Sequence, residues 1–485
     1  MSATGAKMPN TKKSVVFIEP AGAAASVFEN YMKLPLTGTL YLGTILHNAG
    51  YSVRIFNESV LAERIDPFTI SADVYCISSL TTSSSRAKAL ANQIRRIYPE
   101  SRIIIGGIHA SLLPADFVDV ADCIVQGESE KNIIDIIEGD YERGSGTIVQ
   151  GQAIDDVEQL PLINYSLIQE VDSMDIIPIM TSRGCPFDCN FCTVTKIFGK
   201  KFRMQSPQRI IAEVRHALTF FKTNGIFFYD DNFTANQRRI DDLCDLILAE
   251  GLDIAWTAQV RQDIANNPTL LRKMAKAGCR IVFIGFESIN DATLKAMHKS
   301  QTRKDIEISI REIQQAGINI HGMFIFGDDN DTVESLRQTV TFAISQHIDT
   351  VQFMVLTPFP GTPVYDTFVK EKRLFHQRWE YYNGMFAVYQ PKTMTASRLQ
   401  SEMLSAYRRF YSLQHLTLEG LKLLLNVIID ALVWDFRRAF RYGFETLLLK
   451  GGFKFLVSRF ASLYQGYFKF LDEIDMPDAG KKQGV

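Results

Sequence analysis

Three of the seven cysteines in this chain of 485 residues lie in one short stretch, "RGCPFDCNFC", at Cys185, Cys189 and Cys192. Gly184 and Pro186 disfavour a helix there, so the stretch is predicted to be a loop. Soft thiolates favour iron–sulfur clusters, Zn or Cu(I), and iron–sulfur clusters usually have four cysteine ligands. Three cysteines leave one iron of a four-iron cluster without a protein ligand, and an open metal position is typical of a catalytic site.

Two other interpretations of the motif stay open, a structural zinc site completed by a distant histidine and a chance spacing. The N-terminal residues contain no apolar segment long enough for a signal peptide, so we expect a cytoplasmic, reducing location. In such a compartment clustered cysteines indicate metal or redox chemistry rather than disulfides. The remaining cysteines are single and are predicted to be small buried residues: Cys76, Cys123, Cys244 and Cys279.

The bulk composition is that of a globular protein. Hydrophobic residues make up 46% and charged residues 22% of the chain, which excludes disordered and fibrous classes. The length favours two or three domains. A formal net charge of -2 gives no reason to expect a nucleic-acid partner.

A first set of alternating strands and helices precedes the cysteines. Such alternation predicts a parallel sheet with helices on both faces, and ligands of these sheets bind beyond the carboxyl ends of the strands. The segments that follow three of the strands are small and polar, whereas a G-x-G-x-x-G motif for a dinucleotide is missing. The predicted strands are 15–19, 53–57, 74–79, 102–107 and 123–127.

A second set follows a segment at 141–172 that has the Gly and Pro content of a linker. Its repeated strand–helix units predict a partial barrel of about six units, fewer than the eight of a closed barrel. The cysteines come directly after the first of these strands, where such folds place their chemistry. The predicted strands are 176–182, 226–231, 254–259, 281–288, 320–327 and 351–358.

The C-terminal region, 371–485, is predicted to be mostly helical with a frayed tail. Its apolar runs are interrupted by Asn426, Asp430 and Asp435, so a membrane-spanning helix is not predicted. Two interpretations remain for this region. It is either a helical cap on the barrel or a basic, aromatic surface that contacts a membrane peripherally or receives an apolar substrate.

The C-x-x-x-C-x-x-C spacing, with the aromatic Phe191 before the last cysteine, resembles the motif of the radical S-adenosylmethionine (SAM) superfamily. The resemblance implies that the three cysteines bind a [4Fe-4S] cluster whose free iron binds SAM. An electron from the cluster then cleaves SAM to a 5′-deoxyadenosyl radical. Phe191 is thereby predicted to lie at the SAM site.

Later segments resemble further superfamily motifs in the expected order: "FYDDNF" (228–233), "GFES" (285–288), "FIFGDDND" (324–331) and "TPFPGTPVYD" (357–366). The third departs from the common F-G-x-P-G-E form at Asp329, Asn330 and Asp331. The SAM contacts that the resemblance implies are Asp230, Asp231, Glu287 and Gly327.

The first set of elements resembles the cobalamin-binding domain that precedes many radical SAM enzymes. The Asp-x-His-x-x-Gly motif of other cobalamin proteins is incomplete, since "LHNAG" offers His47 and Gly50 without the aspartate. His47 is therefore interpreted as a helix residue. Loss of the lower histidine ligand of cobalt is common in the radical SAM subfamily that the chain resembles. His109 has an equal alternative as a hydrogen-bonded loop residue. The residues predicted to line the corrin are Ser78, Ser79, Thr81, Thr82, Gly106, Gly107, His109 and Gly127.

These resemblances imply an α/β chain with four parts. A Rossmann-like cobalamin-binding domain (1–140) and a linker (141–172) precede a partial (β/α)6 TIM barrel (173–370) and the helical C-terminal region (371–485).

The implied activity is a cobalamin-dependent C-methyltransferase that acts on an unactivated carbon of a large hydrophobic substrate. That substrate is predicted to be a chlorophyll-type tetrapyrrole or a polycyclic isoprenoid lipid, and flavodoxin or ferredoxin is the expected reductant. The alternatives are a ring-forming cyclase without net methylation, a methylthiotransferase, and a non-catalytic corrinoid or iron–sulfur sensor.

Overall fold

A computed structural model describes residues 12–22, 33–412, 452 and 455–475, which form two compact units. Of the described residues, the first unit contains 12–22, 33–186 and 194–227, and the second contains 187–193, 228–412, 452 and 455–475. The segment with the three cysteines contributes residues to both units.

The first unit contains a six-stranded parallel sheet. Its strands are β1 (Ser14–Glu19), β2 (Ser52–Asn57), β3 (Val74–Ser78), β4 (Arg102–Gly106), β5 (Cys123–Gln126) and β6 (Thr147–Gln150). The strand order is β2-β1-β3-β4-β5-β6, and every neighbouring pair is parallel. The helices between these strands are α1 (Thr37–Asn48), α2 (Ser84–Ile97), α3 (Ile108–Leu112) and α4 (Ile133–Glu138). The five strands predicted from the sequence are confirmed.

Helix α2 shows how the sequence builds this core. Ala87, Leu90, Ala91 and Ile94 recur at the spacing of one helix face, and all four are fully buried among residues of β1, β3 and β4. Burial of Leu90 and Ile94 alone contributes about 3–6 kcal/mol. The apolar stripe therefore holds α2 on the sheet and leaves its polar face to solvent.

A second six-stranded sheet follows in the chain. Its strands are β7 (Ile177–Ile179), β10 (Gly225–Phe228), β11 (Ala255–Val260), β12 (Cys279–Glu287), β13 (Asn319–Phe326) and β14 (Thr350–Val355), in the order β14-β13-β12-β11-β10-β7. The intervening helices are α5 (Val194–Ile197), α6 (Pro207–Ala217), α7 (Gln237–Ala249), α8 (Pro268–Lys276), α9 (Asp291–Ala296), α10 (Arg303–Gln315), α11 (Val333–Ser345) and α12 (Pro363–Lys370). Spatial order follows chain order, which confirms the predicted partial barrel of six strands. Strands β8 (Ser182–Arg183) and β9 (Arg203–Met204) pair antiparallel in a short hairpin. The three clustered cysteines lie between these two strands in the sequence.

The terminal strand β14 is covered by α13 (Ala396–Phe410) and the residue after it. The Tyr407 hydroxyl accepts a hydrogen bond from Phe353 N at 3.0 Å. The Tyr411 hydroxyl accepts one from Val351 N at 3.0 Å and donates one to Val351 O at 2.8 Å. Side-chain hydroxyls thus satisfy backbone groups on the outer side of this strand.

The C-terminal region matches the cap interpretation where it is described. Residues 455–463 are helical, and α14 (Gln465–Asp475) follows them. The Asp475 carboxylate accepts hydrogen bonds from Ala396 N and Ser397 N at the start of α13, while the Tyr467 hydroxyl donates one to Ala387 O at 2.9 Å. The membrane interpretation depends mainly on residues 413–451, and these lie outside the described residues.

Two boundaries differ from the prediction. The linker at 141–172 contains β6, which was missed because its four residues are mostly exposed and show no apolar alternation. Residues 371–395 carry turns, a β-bridge between Leu374 and Tyr389 and one short 3-10 helix rather than long helices. Across the described part of the chain, none of the helices is both long and apolar enough to cross a membrane.

Candidate cofactor-binding site

The cysteine segment begins with a turn that requires glycine. Gly184 has a φ of +87°, and a Cβ there would overlap the Lys201 carbonyl. Cys185 N donates a hydrogen bond to Gly199 O at 3.4 Å, and Cys192 N donates one to Cys189 O at 3.2 Å. Phe191 is half-buried beside Cys192.

The second unit anchors residues 187–193 through contacts from three directions. The guanidinium carbon of Arg261, directly after β11, lies 3.6 Å from the ring centroid of Phe187. Asn190 bonds to the carbonyls of Ala296 and Met297, which follow β12, through its side chain and backbone amides at 2.8 and 3.3 Å. Val364 N, beyond β14, donates to Asn190 O at 3.3 Å. Because β11 to β14 are parallel, these contacts place Cys189 and Cys192 at the carboxyl edge of their sheet.

The thiols of this segment differ from the others in exposure. All three are half-buried, whereas the remaining four are buried, and the seven cysteines form no disulfide. Burial raises the pKa of each of those four thiols, which disfavours the thiolate that binds metal. The buried thiols are Cys76, Cys123, Cys244 and Cys279.

This donor set suits a cluster better than a single ion. Among the described residues, no group of three or more His, Cys, Asp or Glu side chains is arranged to bind one metal ion. Thiolates on a cluster bind separate irons, and three half-exposed thiols on a loop fit a [4Fe-4S] cluster with one open iron.

Two carboxylates follow β10 in different surroundings. Asp230 is fully buried, and its Oδ2 lies 3.5 Å from Arg239 Nη2. Asp231 has an accessible surface, yet dense protein around it desolvates its carboxylate. This desolvation, with the charge of Asp230, raises the pKa of Asp231 to about 7. Of the two predicted SAM contacts, Asp231 is therefore the one whose side chain is open to a ligand.

Glu287 ends β12 in an unusual backbone conformation. Its φ is +60°, a left-handed value that costs a residue with a side chain of order 1–3 kcal/mol. The side chain folds back so that a Cβ on Gly285 would overlap its carboxylate. Lys299 Nζ lies 2.9 Å from Glu287 Oε1. Backbone strain of this kind clusters at functional sites, which agrees with the predicted role of Glu287.

Gly327 has a structural role in this geometry. Its N–H donates to Asp331 Oδ2 at 2.9 Å, and its carbonyl accepts from the Tyr389 hydroxyl at 2.5 Å. A Cβ at Gly327 would overlap both Tyr389 and Leu399. The protein itself engages both backbone groups of Gly327, and the contact of this residue with SAM stays a prediction.

In the first unit, the predicted corrin contacts converge on the carboxyl edge of the sheet. Ser78 and Gly106 end the paired strands β3 and β4, and Gly127 follows β5. Gly107 packs so closely that a Cβ would lie 2.7 Å from Ser79 N. Gly127, in contrast, is exposed, and a Cβ there would meet nothing within 4 Å. Gly127 is thus open to a ligand, whereas Gly107 closes a turn.

The serine and threonine residues at this edge also differ in how far they are exposed to solvent. Ser79 and Thr81 are buried, whereas Ser78 and Thr82 are half-buried. Ser111 was missed by the sequence reasoning. Its hydroxyl accepts from Gly127 N and donates to Gly107 O, both at 2.8 Å.

Two histidines of the first unit, His47 and His109, were considered as possible cobalamin contacts from the sequence, and both have structural surroundings. His109 is fully buried in α3, with Nδ1 3.3 Å from Thr81 Oγ1 and Nε2 3.1 Å from Asp116 Oδ2. This geometry supports the hydrogen-bonded alternative over a corrin contact. His47 lies exposed in the last turn of α1, as the helix interpretation predicts.

Comparison with known protein families identifies both sets of elements. The model for the radical SAM superfamily matches residues 179–343, and the model for the B12 binding domain matches residues 29–136. The chain is a radical SAM enzyme with a B12-binding domain. The first domain type implies a [4Fe-4S] cluster and SAM, and the second implies cobalamin.

Curated relatives of this radical SAM enzyme carry three activities in their names. Bacteriochlorophyllide d C-8(2)-methyltransferase of Chlorobaculum tepidum is 29% identical over 374 residues, 73% of this chain and 82% of that protein. Anaerobic magnesium-protoporphyrin IX monomethyl ester cyclase of Cereibacter sphaeroides is 26% identical over 415 residues, covering 78% and 67%. Hopanoid C-2 methylase of Rhodopseudomonas palustris is 25% identical over 354 residues, covering 71% and 66%.

A solved structure confirms the fold of the radical SAM enzyme. It is the cobalamin-dependent SAM radical enzyme OxsB with aqua-cobalamin and SAM bound, which matches with a TM-score of 0.64 and 15% identity. The match covers 96% of this chain and 80% of OxsB. At this identity the likeness concerns architecture alone.

Proposed function

We propose that this enzyme is a cobalamin-dependent radical SAM C-methyltransferase that methylates an unactivated carbon of a large hydrophobic substrate, a chlorophyll-type tetrapyrrole or a polycyclic isoprenoid lipid. One observation carries the proposal, namely that a single chain contains a three-cysteine radical SAM domain and a B12-binding domain. The resemblance to the bacteriochlorophyllide methyltransferase and the hopanoid methylase supports the substrate class.

In this proposal, the chain's own residues bind and position the cofactors. Cys185, Cys189 and Cys192 ligate the cluster. Asp231 and Glu287 bind polar groups of SAM, and a nearby ammonium group would favour the charged form of Asp231. When bound, the cluster supplies the electron that cleaves SAM, and cobalamin supplies a carrier for the methyl group.

The other assignments follow the same division of the chain. Phe191 lies at the SAM side of the cluster, and the turn at Gly127 receives the corrin. We assign 1–140 to the cobalamin domain, extended by β6, and 173–370 to the radical SAM barrel. A small electron-transfer protein such as flavodoxin or ferredoxin is the proposed reductant. Peripheral membrane contact through the C-terminal region stays a prediction.

Ring-forming cyclisation without net methylation is the second candidate, because the chain also resembles the magnesium-protoporphyrin ester cyclase. The two reactions differ in product mass, since methylation adds one methylene. They also differ in co-products, since methyl transfer from SAM leaves S-adenosylhomocysteine.

The test is anaerobic incubation of the reconstituted full-length enzyme with reductant, methyl-deuterated SAM and separate tetrapyrrole and hopanoid fractions, followed by mass spectrometry. We expect a deuterated methyl group on one fraction, with S-adenosylhomocysteine and 5′-deoxyadenosine. Formation of 5′-deoxyadenosine without S-adenosylhomocysteine or a labelled product would rule out methyl transfer.

Two cysteine variants make a matched pair for this assay. Cys189→Ala should lose the cluster absorbance and SAM cleavage while it still binds cobalamin, because the first unit does not contain Cys189. Cys244→Ala, in the buried face of α7, should keep both cofactors. Retention of a full complement of cluster iron by Cys189→Ala would refute the ligand assignment.

A further inference from the structure

Two glutamates that follow Gly127 contact the hairpin on either side of the cysteine segment. Glu128 accepts hydrogen bonds from the guanidinium groups of Arg183 and Arg203, and Arg203 Nη1 lies 3.1 Å from Glu128 Oε2. Glu130 Oε1 lies 2.6 Å from Arg183 Nη1. The four side chains are at most 8% exposed. They form a buried cluster of two acids and two bases, here called the Glu128 cluster.

The Glu128 cluster joins two places that the proposed function assigns to different cofactors. Arg183 and Arg203 face each other in the β8–β9 hairpin and so close the segment 184–202. Arg183 stands two residues before Cys185. Glu128 stands directly after Gly127, the exposed glycine at the carboxyl edge of the first sheet. Contacts within one unit therefore tie the predicted corrin turn to both ends of the segment that carries the cysteines.

The two negative and two positive charges of the cluster balance, so each buried charge has an oppositely charged partner. Arg183 also lies with its guanidinium carbon 5.7 Å from the ring centroid of Tyr41. Removal of one partner would leave a buried charge uncompensated, so the ion pairs resist separation of the Gly127 turn from the hairpin.

We propose that Glu128 is a positioning residue that couples the two cofactor sites. Cobalamin at the Gly127 turn fixes Glu128, Glu128 fixes the hairpin, and the hairpin fixes the start of the loop at Cys185. Binding of cobalamin and binding of the cluster then strengthen each other, and this coupling is reciprocal by thermodynamic linkage. The inference rests on the cofactor binding in the proposed function and is independent of the substrate and of methyl transfer.

The experiment titrates full-length protein with aquacobalamin anaerobically, in the cluster-free and the cluster-reconstituted state. For the wild type, we expect the reconstituted protein to bind cobalamin about fivefold or more tightly than the cluster-free protein. Glu128→Gln should reduce this ratio to about one. Asp122→Asn should keep it, because Asp122 is an equally buried carboxylate, paired with Arg95, at the opposite end of β5.

A second pair of variants tests the hairpin side of the cluster and also serves if Glu128→Gln fails to fold. Arg203→Gln should lower the ratio of the two affinities, and Arg203→Lys should restore part of it, since lysine keeps the charge but not the two-pronged contact. Circular dichroism and iron content check folding and cluster loading.

Three results would overturn the coupling: a wild-type ratio of one, an unchanged ratio in both Glu128→Gln and Arg203→Gln, or an equal loss in Asp122→Asn. A lack of methylated product would contradict the proposed function alone, because these readouts measure only binding.

Discussion

Replacement of Gly107 by alanine should destabilise the turn between β4 and α3. Gly107 has φ +93° and ψ -174°, a combination essentially restricted to glycine, so a side chain there costs about 1–3 kcal/mol. The new Cβ would also lie 2.7 and 2.8 Å from the backbone N and O of Ser79. Backbone atoms cannot rotate away, and displacement of a packed turn costs about 1–3 kcal/mol more. The expected loss is therefore about 2–6 kcal/mol in total.

Gly127→Ala is the matched control, because Gly127 also has a positive φ, +84°, but open space at the Cβ position. Its cost should be the backbone strain alone, about 1–2 kcal/mol. The affinity for cobalamin should also fall in Gly127→Ala, because the new methyl group occupies the exposed side from which we propose that the corrin approaches.

Hydrogen exchange read by mass spectrometry measures the difference between these variants locally. In Gly107→Ala, peptides that span residues 102–113 should lose protection about thirtyfold or more, the factor that corresponds to about 2 kcal/mol. In Gly127→Ala, the peptides that span residue 127 should lose clearly less protection than this. Equal protection in the two variants would refute the argument, because it would mean that the approach to Ser79 has no energetic consequence.

Two further predictions concern the second unit. Burial raises the pKa of Asp331 to about 7 in the folded protein. Because this value lies above the pKa in the unfolded chain, the protonated carboxyl stabilises the fold. That stabilisation is fully present below about pH 4 and is lost as the pH rises to 7. Asp331→Asn should flatten that dependence in thermal unfolding, and an unchanged slope would contradict the assignment. Lys299→Met leaves the Glu287 carboxylate buried without its partner, at a cost of about 3–5 kcal/mol. The double variant with Glu287→Gln should recover most of this loss in denaturant unfolding, whereas additive losses would exclude the pair.

Local patterns made the strands and the cysteine segment predictable. Buried parallel strands are short apolar runs, and the β-branched runs at 102–107 and 123–127 coincide with β4 and β5 to within one residue. The loop at Cys185 follows from Gly184 and Pro186. Strand β6 was missed because an exposed edge strand needs no apolar pattern.

Long-range contacts explain what the sequence does not reveal. Glu128 and Arg203 are 75 residues apart and meet only in the folded chain. Gly107 and Gly127 look alike in sequence, yet one faces the backbone of Ser79 and the other faces open space. The motif around Gly327 likewise gives no sign that this residue packs against Tyr389, which comes 62 residues later.

The tyrosine hydroxyls that bond to β14 affect whether this strand can pair with a strand of another molecule. An outermost strand normally offers unsatisfied amides and carbonyls to which a strand from another molecule can add. Tyr407 and Tyr411 occupy three such backbone groups, on Val351 and Phe353. Because these groups are already paired and α13 covers the strand, the outer side of β14 is closed to a strand from another molecule at Val351 and Phe353.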